Sequence, residues 1–346
     1  MQGGKRENAG RTTMPSEKKK RGYKIYIDDN VRDGIIKYAE GDSFSEKCCN
    51  LIESQIKTIT NTKGNSAFAL ITADKSQNKS IRSPFRYAGG KYYARKLIVE
   101  HIKSHASYYE PFAGGASIFF AKSKVAKNVL NDIDDKLMLV YKIIRDSPND
   151  LIEFLRPYPA TKDLHTYFKN KFKPANDLEI AARWYYLNRT SYSGIMNMTN
   201  CYWGYGDKYS MQPKNWPTAI YSASRKLQGV ELLNQDFEEV INNAEDGALL
   251  FVDPPYFNAD QDKFYPNAFT KKCHLRLCDV LRRNSQRLKL FITYDNCNEI
   301  KEMYAWAQNI YDKEWNYCIS RTDDQKNGSN VKGTRKKGKE LFILNY

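Results

Sequence analysis

Short apolar runs alternate with stretches of helical periodicity through most of the chain beyond residue 82. The runs are four to six residues long and are bounded by polar turns, a pattern typical of buried strands. They lie at residues 106–109, 127–130, 230–233, 248–252 and 288–293. Strands that alternate with helices in this way predict an α/β fold with a largely parallel, doubly wound sheet.

The segment between the second and third of these strands differs from the rest of the chain in pattern and composition. Residues 145–228 combine helical patterns with a high content of Tyr, Trp, Asn and Gly. We interpret this segment as an inserted, mostly helical domain. Residues 83–144 and 229–346 would then form the domain that contains the sheet.

The N-terminal region divides into three parts. Residues 1–22 carry glycine and charge but almost nothing apolar, so we expect a disordered basic arm. Residues 23–60 show a short alternating strand and then two helical patterns. Residues 61–82 are rich in Asn, Ser, Thr and Lys, and we expect them to be a linker.

The strand-helix-helix segment resembles a ribbon-helix-helix DNA-binding module. Its second helix is predicted to begin at a capping box, Ser43 with Glu46 three residues later. The resemblance implies a homodimer formed by strand pairing, in which Lys24 and Tyr26 face the bases of the major groove. A small structural or dimerising appendage would have the same element order, and both alternatives remain open.

The charge balance favours a nucleic-acid partner. The chain has 55 Lys and Arg residues against 40 Asp and Glu, a formal net charge of +15, which draws a polyanion towards the protein. A basic protein without such a partner would show the same excess. The sequence has no apolar run of about 18 residues and no signal-peptide core, so we expect a cytoplasmic protein with no membrane contact.

The cysteines do not indicate a metal site. The seven cysteines are scattered, and the adjacent pair Cys48 and Cys49 lacks the spacing of zinc ligands. We expect reduced, mostly buried thiols and no metal.

A glycine-rich turn follows the first predicted strand and reads YEPFAGGAS over residues 109–117. Glycines let a ligand approach the backbone at the mouth of a sheet, so a nucleotide-like cofactor is the expected occupant. The glycine patterns of dinucleotide-binding turns and of phosphate-binding loops are both absent. Gly89-Gly90-Lys91 is therefore not a Walker motif.

Two acidic residues come directly after later strands. Asp132 follows the second predicted strand, where acidic residues of such folds bind ribose hydroxyls. Asp253 follows the fourth and begins the sequence Asp253-Pro254-Pro255-Tyr256. The prolines stiffen a loop that presents an acceptor together with an aromatic ring, as a catalytic site requires.

From Pro84 to its end, the chain resembles the Dam-type family of DNA adenine-N6 methyltransferases. Several separate motifs agree in order, which a single DPPY sequence would not establish. They are FRYAGGK at 85–91, the glycine turn at 110–117, LNRTSYSG at 187–194, QDF at 235–237, DPPY at 253–256 and KELFILNY at 339–346. The resemblance implies a Rossmann-like methyltransferase sheet, S-adenosylmethionine as cofactor, double-stranded DNA as substrate, and a target-recognition role for the insert.

The resemblance also implies which residues bind the cofactor. Tyr87, Lys91 and the glycine turn would lie at its methionine end, Asp132 at the ribose and the Asp-Phe pair of QDF at the adenine. The full set is Tyr87, Lys91, Glu110, Phe112, Gly114, Asp132, Asp236, Phe237 and Asp253.

The catalytic residues are expected to be Asp253, Pro254 and Tyr256. The amine nitrogen of adenine is a poor nucleophile because its lone pair is delocalised into the ring. The Asp253 carboxylate and the Pro254 carbonyl would each accept an amine hydrogen and stabilise the developing positive charge. The adenine has to be flipped out of the duplex, and stacking on Tyr256, worth ~1–3 kcal/mol, would offset part of that cost.

The insert is expected to read the DNA sequence through Asn188, Arg189 and Tyr192 and the aromatic stretch that follows. Met196-Asn197-Met198 stands where many relatives carry a basic residue, so a GATC target should not be assumed from the resemblance. The basic loop at 324–339 would contact phosphates or be a solvated turn.

Two alternatives to adenine methylation were weighed. An N4-cytosine methyltransferase uses the same amine chemistry but more often has Ser in place of Asp253. A DNA-binding regulator could act through residues 23–60, although the catalytic positions are all present. Analysis of the methylated nucleoside decides the first alternative, and removal of residues 1–60 decides the second.

Overall fold

The structure, a computed structural model, describes residues 29–61, 80–87, 89–206, 210–258, 269–316 and 337–346. The predicted arm at 1–22, the strand with Lys24 and Tyr26, most of the linker and the basic loop up to residue 336 lie outside the described residues. The chain divides into two compact units, Met1–Ala73 and Asp74–Tyr346.

The described part of the first unit is a pair of helices, α1 (Asp29–Tyr38) and α2 (Phe44–Asn61). The start of α2 is capped as its sequence predicts, because the Glu46 amide donates to Ser43 Oγ at 3.2 Å and the Glu46 carboxylate accepts from the Asp42 amide. Much of the apolar surface of the pair is exposed: Val31, Ile36, Tyr38, Phe44, Leu51 and Ile52 are each 40–77% accessible. The ribbon-helix-helix assignment stays a prediction.

The second unit contains a sheet with seven strands among the described residues. In chain order they are β1 (Ser107–Glu110), β2 (Lys127–Asn131), β3 (Glu231–Leu233), β4 (Leu249–Val252), β5 (Lys289–Asp295), β6 (Asn309–Asn316) and β7 (Lys337–Leu344). The spatial order is β3-β2-β1-β4-β5-β7-β6, in which β1 to β5 are parallel and β7 is antiparallel to both its neighbours. The predicted α/β sheet is confirmed, and each of the five predicted apolar runs contributes a strand.

Ten helices of this unit fall within the described residues. They are α3 (Arg95–His101), α4 (Ser117–Ala121), α5 (Asp135–Asp146), α6 (Pro148–Leu155), α7 (Lys162–Asn170), α8 (Asp177–Thr190), α9 (Trp216–Leu227), α10 (Phe237–Asn242), α11 (Lys271–Asn284) and α12 (Asn298–Met303). Side-chain caps fix several starts: Asp134 accepts from the first-turn amides of α5, and Asn176 accepts from the Glu179 amide in α8.

Apolar cores cover both faces of the sheet. Every residue of β4 is buried, as expected of a parallel strand covered on both sides. One core joins sheet residues and Tyr141 of α5 to helices of the predicted insert, with Tyr185 of α8 and Trp216 of α9 in the same cluster. Residues of the predicted insert at 145–228 therefore share a core with the sheet. The other core packs α10 and α11 on the opposite face.

Strand β6 was not predicted from the sequence. It reads NIYDKEWN, with charges at Asp312, Lys313 and Glu314 and no apolar run. It lies at the edge of the sheet, where one side of the strand has no neighbour and polar residues are tolerated. None of the helices in the described part of the chain is both long and apolar enough to cross a bilayer.

Candidate active site

The topology of the sheet brings the predicted motifs to one edge. The chain leaves β1 towards β2 and β3 on one side and returns to β4 and β5 on the other, so the order reverses between β1 and β4. Ligands of open α/β sheets bind outside the carboxyl ends of the strands at such a reversal. The glycine turn follows β1, Asp132 follows β2 and Asp253 follows β4. They therefore meet at one crevice.

The glycine turn is held open by its backbone conformation. Gly114 has a φ of +46°, in the left-handed region, and a methyl group there would lie 2.8 Å from the ring of Tyr87. The Gly114 amide donates to Asp132 Oδ2 at 2.8 Å, and the Tyr141 hydroxyl donates to the Gly114 carbonyl at 2.8 Å. Tyr87, Gly114 and Asp132 are therefore brought together as their motifs predict.

Glu110 is fully enclosed behind this turn. Its Oε1 accepts hydrogen bonds from the Tyr108 hydroxyl and from the Phe119 amide, both at 2.7 Å. Burial raises the pKa of Glu110 to about 8, against these two hydrogen bonds, which lower it. The carboxyl group therefore anchors the beginning of α4 to β1 and is mostly protonated at neutral pH.

Asp132 is half-buried, and its surroundings are polar. Burial raises the pKa of this carboxyl to about 6, although amides including those of Asp134 and Gly114 hold it down. The next residue, Ile133, is 56% exposed at the mouth of the crevice. An apolar side chain exposed beside a carboxyl group can pack on a bound base, and the sequence reasoning did not identify this position.

A second pair of predicted cofactor residues, Phe112 and Phe237, forms a stacked aromatic pair. Phe112 and Phe237 stack with ring centroids 5.3 Å apart, and Asp236 caps α10 through the Glu238 amide at 2.9 Å. Arg276 of α11 pairs with Asp236 at 2.5 Å and lies 4.5 Å from the centre of the Phe237 ring. Sequence reasoning missed Arg276, because nothing local in α11 marks a residue that reaches across to α10.

Asp253 is fixed at the centre of the crevice by two donors. Lys91 Nζ lies 2.7 Å from its Oδ1, and the Thr293 hydroxyl donates to the same atom at 2.7 Å. With one oxygen engaged in this way, the carboxylate has its second oxygen free to accept another hydrogen. Thr293 belongs to β5, and only the pairing of β4 with β5 brings it to this position.

The ring of Tyr256 lies beside the same lysine, with Lys91 Nζ 4.8 Å from the ring centre. The loop that follows is held by Asp295 at the end of β5, which accepts from the Phe257 amide at 2.9 Å and from the Asn258 amide at 3.1 Å. The sequence Asp253-Pro254-Pro255-Tyr256 is therefore held at both ends, at Asp253 itself and by Asp295 just after Tyr256. Asp295 was not identified from the sequence, since its role depends on the register of two strands.

Comparison with known proteins agrees with this geometry. Residues 87–319 match the sequence model of the D12 class N6 adenine-specific DNA methyltransferases. This chain belongs to that family. It is thus an adenine-specific DNA methyltransferase, and the resemblance found in its motifs is confirmed.

Named relatives are similar over most of the chain. The Type II methyltransferase M1.LlaDCHI of Lactococcus lactis subsp. cremoris is 24% identical over 294 residues, which is 78% of this chain and 98% of the relative. The DNA adenine methylase of Escherichia coli (strain K12) is 24% identical over 278 residues, 77% of this chain and 96% of the relative. The DNA N-6-adenine-methyltransferase of Escherichia phage P1 is 29% identical over 238 residues, 64% of this chain and 31% of the relative.

Two of the residues expected to contact DNA in this methyltransferase are buried. The Asn188 amide accepts from the Arg86 amide at 3.0 Å and donates to the carbonyls of Arg86 at 2.7 Å and Gly194 at 3.3 Å. Arg189 is 4% exposed, and burial lowers its pKa. This burial argues against direct base contact by Asn188 and Arg189. Asn188 joins the FRYAGGK motif to the segment that follows α8, and Arg189 Nη1 donates to the Pro84 carbonyl at 3.4 Å.

Tyr192 is placed where it can reach a ligand. It is 36% exposed and begins a loop closed by an antiparallel bridge between Ser191 and Trp203. Its amide donates to the Tyr202 carbonyl at 2.8 Å, and Tyr202 and Met198 are also exposed. The residues between Ser191 and Trp203 thus form a hairpin-like segment, and contact between its tip and DNA stays a prediction.

We expect Gly194→Ala to destabilise this junction strongly. Gly194 has a φ of +72°, and a methyl group would lie 2.3 Å from the Arg86 carbonyl oxygen. Left-handed strain and the backbone clash together should lower the free energy of unfolding by about 2–4 kcal/mol, measured by urea denaturation. Gly229→Ala is the matched control, since its φ is +69° and nothing lies within 4 Å of an added methyl. Equal losses in the two variants would exclude the clash as the cause.

Proposed function

We propose that this enzyme transfers a methyl group from S-adenosylmethionine to the N6 amine of an adenine extruded from double-stranded DNA. The observation that carries the proposal is the fixed Asp253 carboxylate, held by Lys91 and Thr293 at the crevice where the glycine turn ends. The membership of the D12 class supplies the adenine specificity.

The residues of the crevice fit such a cofactor. The left-handed turn at Gly114 packs against the Tyr87 ring, the Asp132 carboxyl suits ribose hydroxyls, and the stacked rings of Phe112 and Phe237 offer an aromatic surface. When bound, S-adenosylmethionine would supply an activated methyl group on a positively charged sulfur. The chain's own part is to hold the cofactor and the amine in line, from which proximity gives much of the acceleration.

The turn Asp253-Pro254 would activate the amine. An exocyclic amine has two hydrogens, and acceptance of one by the free Asp253 oxygen and the other by the Pro254 carbonyl turns its lone pair towards the methyl group. The carboxylate also stabilises the positive charge that develops on nitrogen. The amine loses one proton after transfer, and the Asp253 carboxylate that accepts its hydrogen bond would receive it.

Cofactor binding should depend on the stacked rings of Phe112 and Phe237. Replacement of Phe237 by Ala should weaken binding of S-adenosylmethionine roughly tenfold to hundredfold, since stacking on a base is worth ~1–3 kcal/mol. Isothermal titration calorimetry measures the change, with Tyr167→Ala, an exposed aromatic of α7, as the control. Unchanged affinity in Phe237→Ala would show that this aromatic pair is not part of the cofactor site.

Mass spectrometry of nucleosides tests the proposed reaction. Unmodified duplex DNA is incubated with the enzyme and S-adenosylmethionine carrying a deuterated methyl group, then digested. We expect labelled N6-methyl-2′-deoxyadenosine, formed on duplex DNA and suppressed by S-adenosylhomocysteine. Labelled N4-methyl-2′-deoxycytidine, or an absence of label in every base while the enzyme binds the cofactor, would contradict the proposal.

A further inference from the structure

A buried glutamate lies behind the catalytic carboxylate. Glu340 belongs to the antiparallel strand β7, opposite Asp295 of β5 and Lys313 of β6, and its side chain is fully buried. Lys91 reaches both acids: its Nζ lies 2.7 Å from Asp253 and 3.8 Å from Glu340. Glu340 also lies outside the region 87–319 that matches the family.

The electrostatics of Lys91 reflect both acids. Burial by itself lowers the pKa of this ammonium group, but the charges of Asp253 and Glu340 outweigh it, and the pKa of Lys91 is raised. The lysine is therefore a fixed positive charge. Without a second carboxylate, the positive charge of Lys91 would attract Asp253 and also repel a bound sulfonium. Like charges in a site of low dielectric repel strongly.

The cofactor and its product differ in charge at the sulfur atom. S-adenosylmethionine has a positive sulfonium, whereas S-adenosylhomocysteine has a neutral thioether at the same atom. A carboxylate close to the sulfonium stabilises the first ligand and has little effect on the second. Glu340 is linked to the proposed reaction site through Lys91, whose Nζ lies 3.8 Å from Glu340 and 2.7 Å from Asp253.

We infer that Glu340 is a positioning residue that offsets the charge of Lys91 and gives the site its preference for the cationic cofactor over the neutral product. It holds the ammonium group that fixes Asp253, and its negative charge stabilises a sulfonium bound nearby. The same preference favours release of the product after methyl transfer. The inference rests on the proposed cofactor, and it assigns to β7 a role beyond closing the sheet.

Binding measurements on Glu340→Gln test the inference. Calorimetry on the full-length chain gives affinities for S-adenosylmethionine, for S-adenosylhomocysteine and for sinefungin, which carries an ammonium-bearing carbon in place of the sulfonium. We expect both cationic ligands to lose affinity relative to S-adenosylhomocysteine by roughly fivefold to tenfold, as for a unit charge at about 10 Å in a partly screened site. Glu340→Asp, which keeps the charge, should restore most of the preference.

Asp312→Asn is the matched control. Asp312 lies on the neighbouring strand β6 and is 65% exposed, so its charge is screened and its removal should leave the affinity ratio unchanged. Equal weakening of all three ligands in Glu340→Gln, loss of all binding, or an unchanged ratio would overturn the inference. If the unaltered enzyme binds none of the three ligands, the proposed cofactor fails instead, so the two failures are distinguishable.

Discussion

Replacement of Asp253 by Ala should reduce methyl transfer by at least roughly a thousandfold, a far larger loss than its loss of cofactor affinity. The carboxylate acts on the target amine, and loss of a preorganised group that stabilises developing charge typically costs about 10²–10³ in turnover. A further loss is expected because removal of the acid leaves Lys91 beside the reacting nitrogen without its 2.7 Å partner. Single-turnover kinetics with duplex DNA measure the rate of transfer, and calorimetry measures cofactor affinity.

Thr293→Val is the graded control for this result. It keeps the shape of the residue but removes the hydroxyl that donates to Asp253 at 2.7 Å. A hydrogen bond to a charged group contributes about 1.5–3 kcal/mol, so a decrease in turnover of roughly tenfold to hundredfold is expected, short of the loss in Asp253→Ala. Turnover in Asp253→Ala within tenfold of the unaltered enzyme would refute the catalytic role of this acid.

Replacement of Tyr256 by Ala should lower the rate of transfer by roughly tenfold to hundredfold, because stacking of an aromatic ring on an extruded base is worth ~1–3 kcal/mol. Tyr256→Phe keeps the ring and should retain most of the activity. The ring already lies against the Lys91 ammonium at 4.8 Å, which fixes its place beside Asp253.

Base extrusion can be followed separately from chemistry. DNA with 2-aminopurine at the target adenine becomes fluorescent when that base leaves the stack. We expect Tyr256→Ala to reduce this signal and Tyr256→Phe to preserve it. A full signal and full activity in Tyr256→Ala would show that the ring is not the stacking surface.

The positions of the main motifs were predictable because they follow from the sheet. Apolar runs mark parallel strands, and the carboxyl ends of parallel strands meet at one edge. The glycine turn, Asp132 and Asp253 each follow such a run, so their convergence did not require knowledge of distant contacts. The hydrogen bond between the Gly114 amide and Asp132 confirms that convergence at 2.8 Å.

The supporting residues could not be found in this way. Thr293, Asp295 and Glu340 act through the pairing of strands far apart in the sequence, and no local pattern distinguishes them from other polar residues of a strand. For Asn188 the sequence pattern was misleading, because a polar residue in a recognition segment indicates DNA contact. In the structure its side-chain amide makes hydrogen bonds to backbone groups of Arg86 and Gly194 instead.

DNA recognition is the part of the function that a sequence pattern predicts least well. The exposed tip of the segment after α8 carries Tyr192, Met198 and Tyr202, and its contacts depend on the shape of a bound duplex. The DNA-reading role of Lys24 and Tyr26 stays a prediction, as does dimerisation. Sequencing that detects methylated adenines in DNA from cells expressing the gene would give the target sequence directly.

A crystal structure of the enzyme with sinefungin and a duplex containing its target tests the central claim most directly. We expect an adenine extruded into the crevice, with its N6 within hydrogen-bonding distance of an Asp253 oxygen and of the Pro254 carbonyl, and with its ring on Tyr256. An adenine that remains stacked in the duplex, or that enters the protein with its amine away from Asp253, would contradict the account.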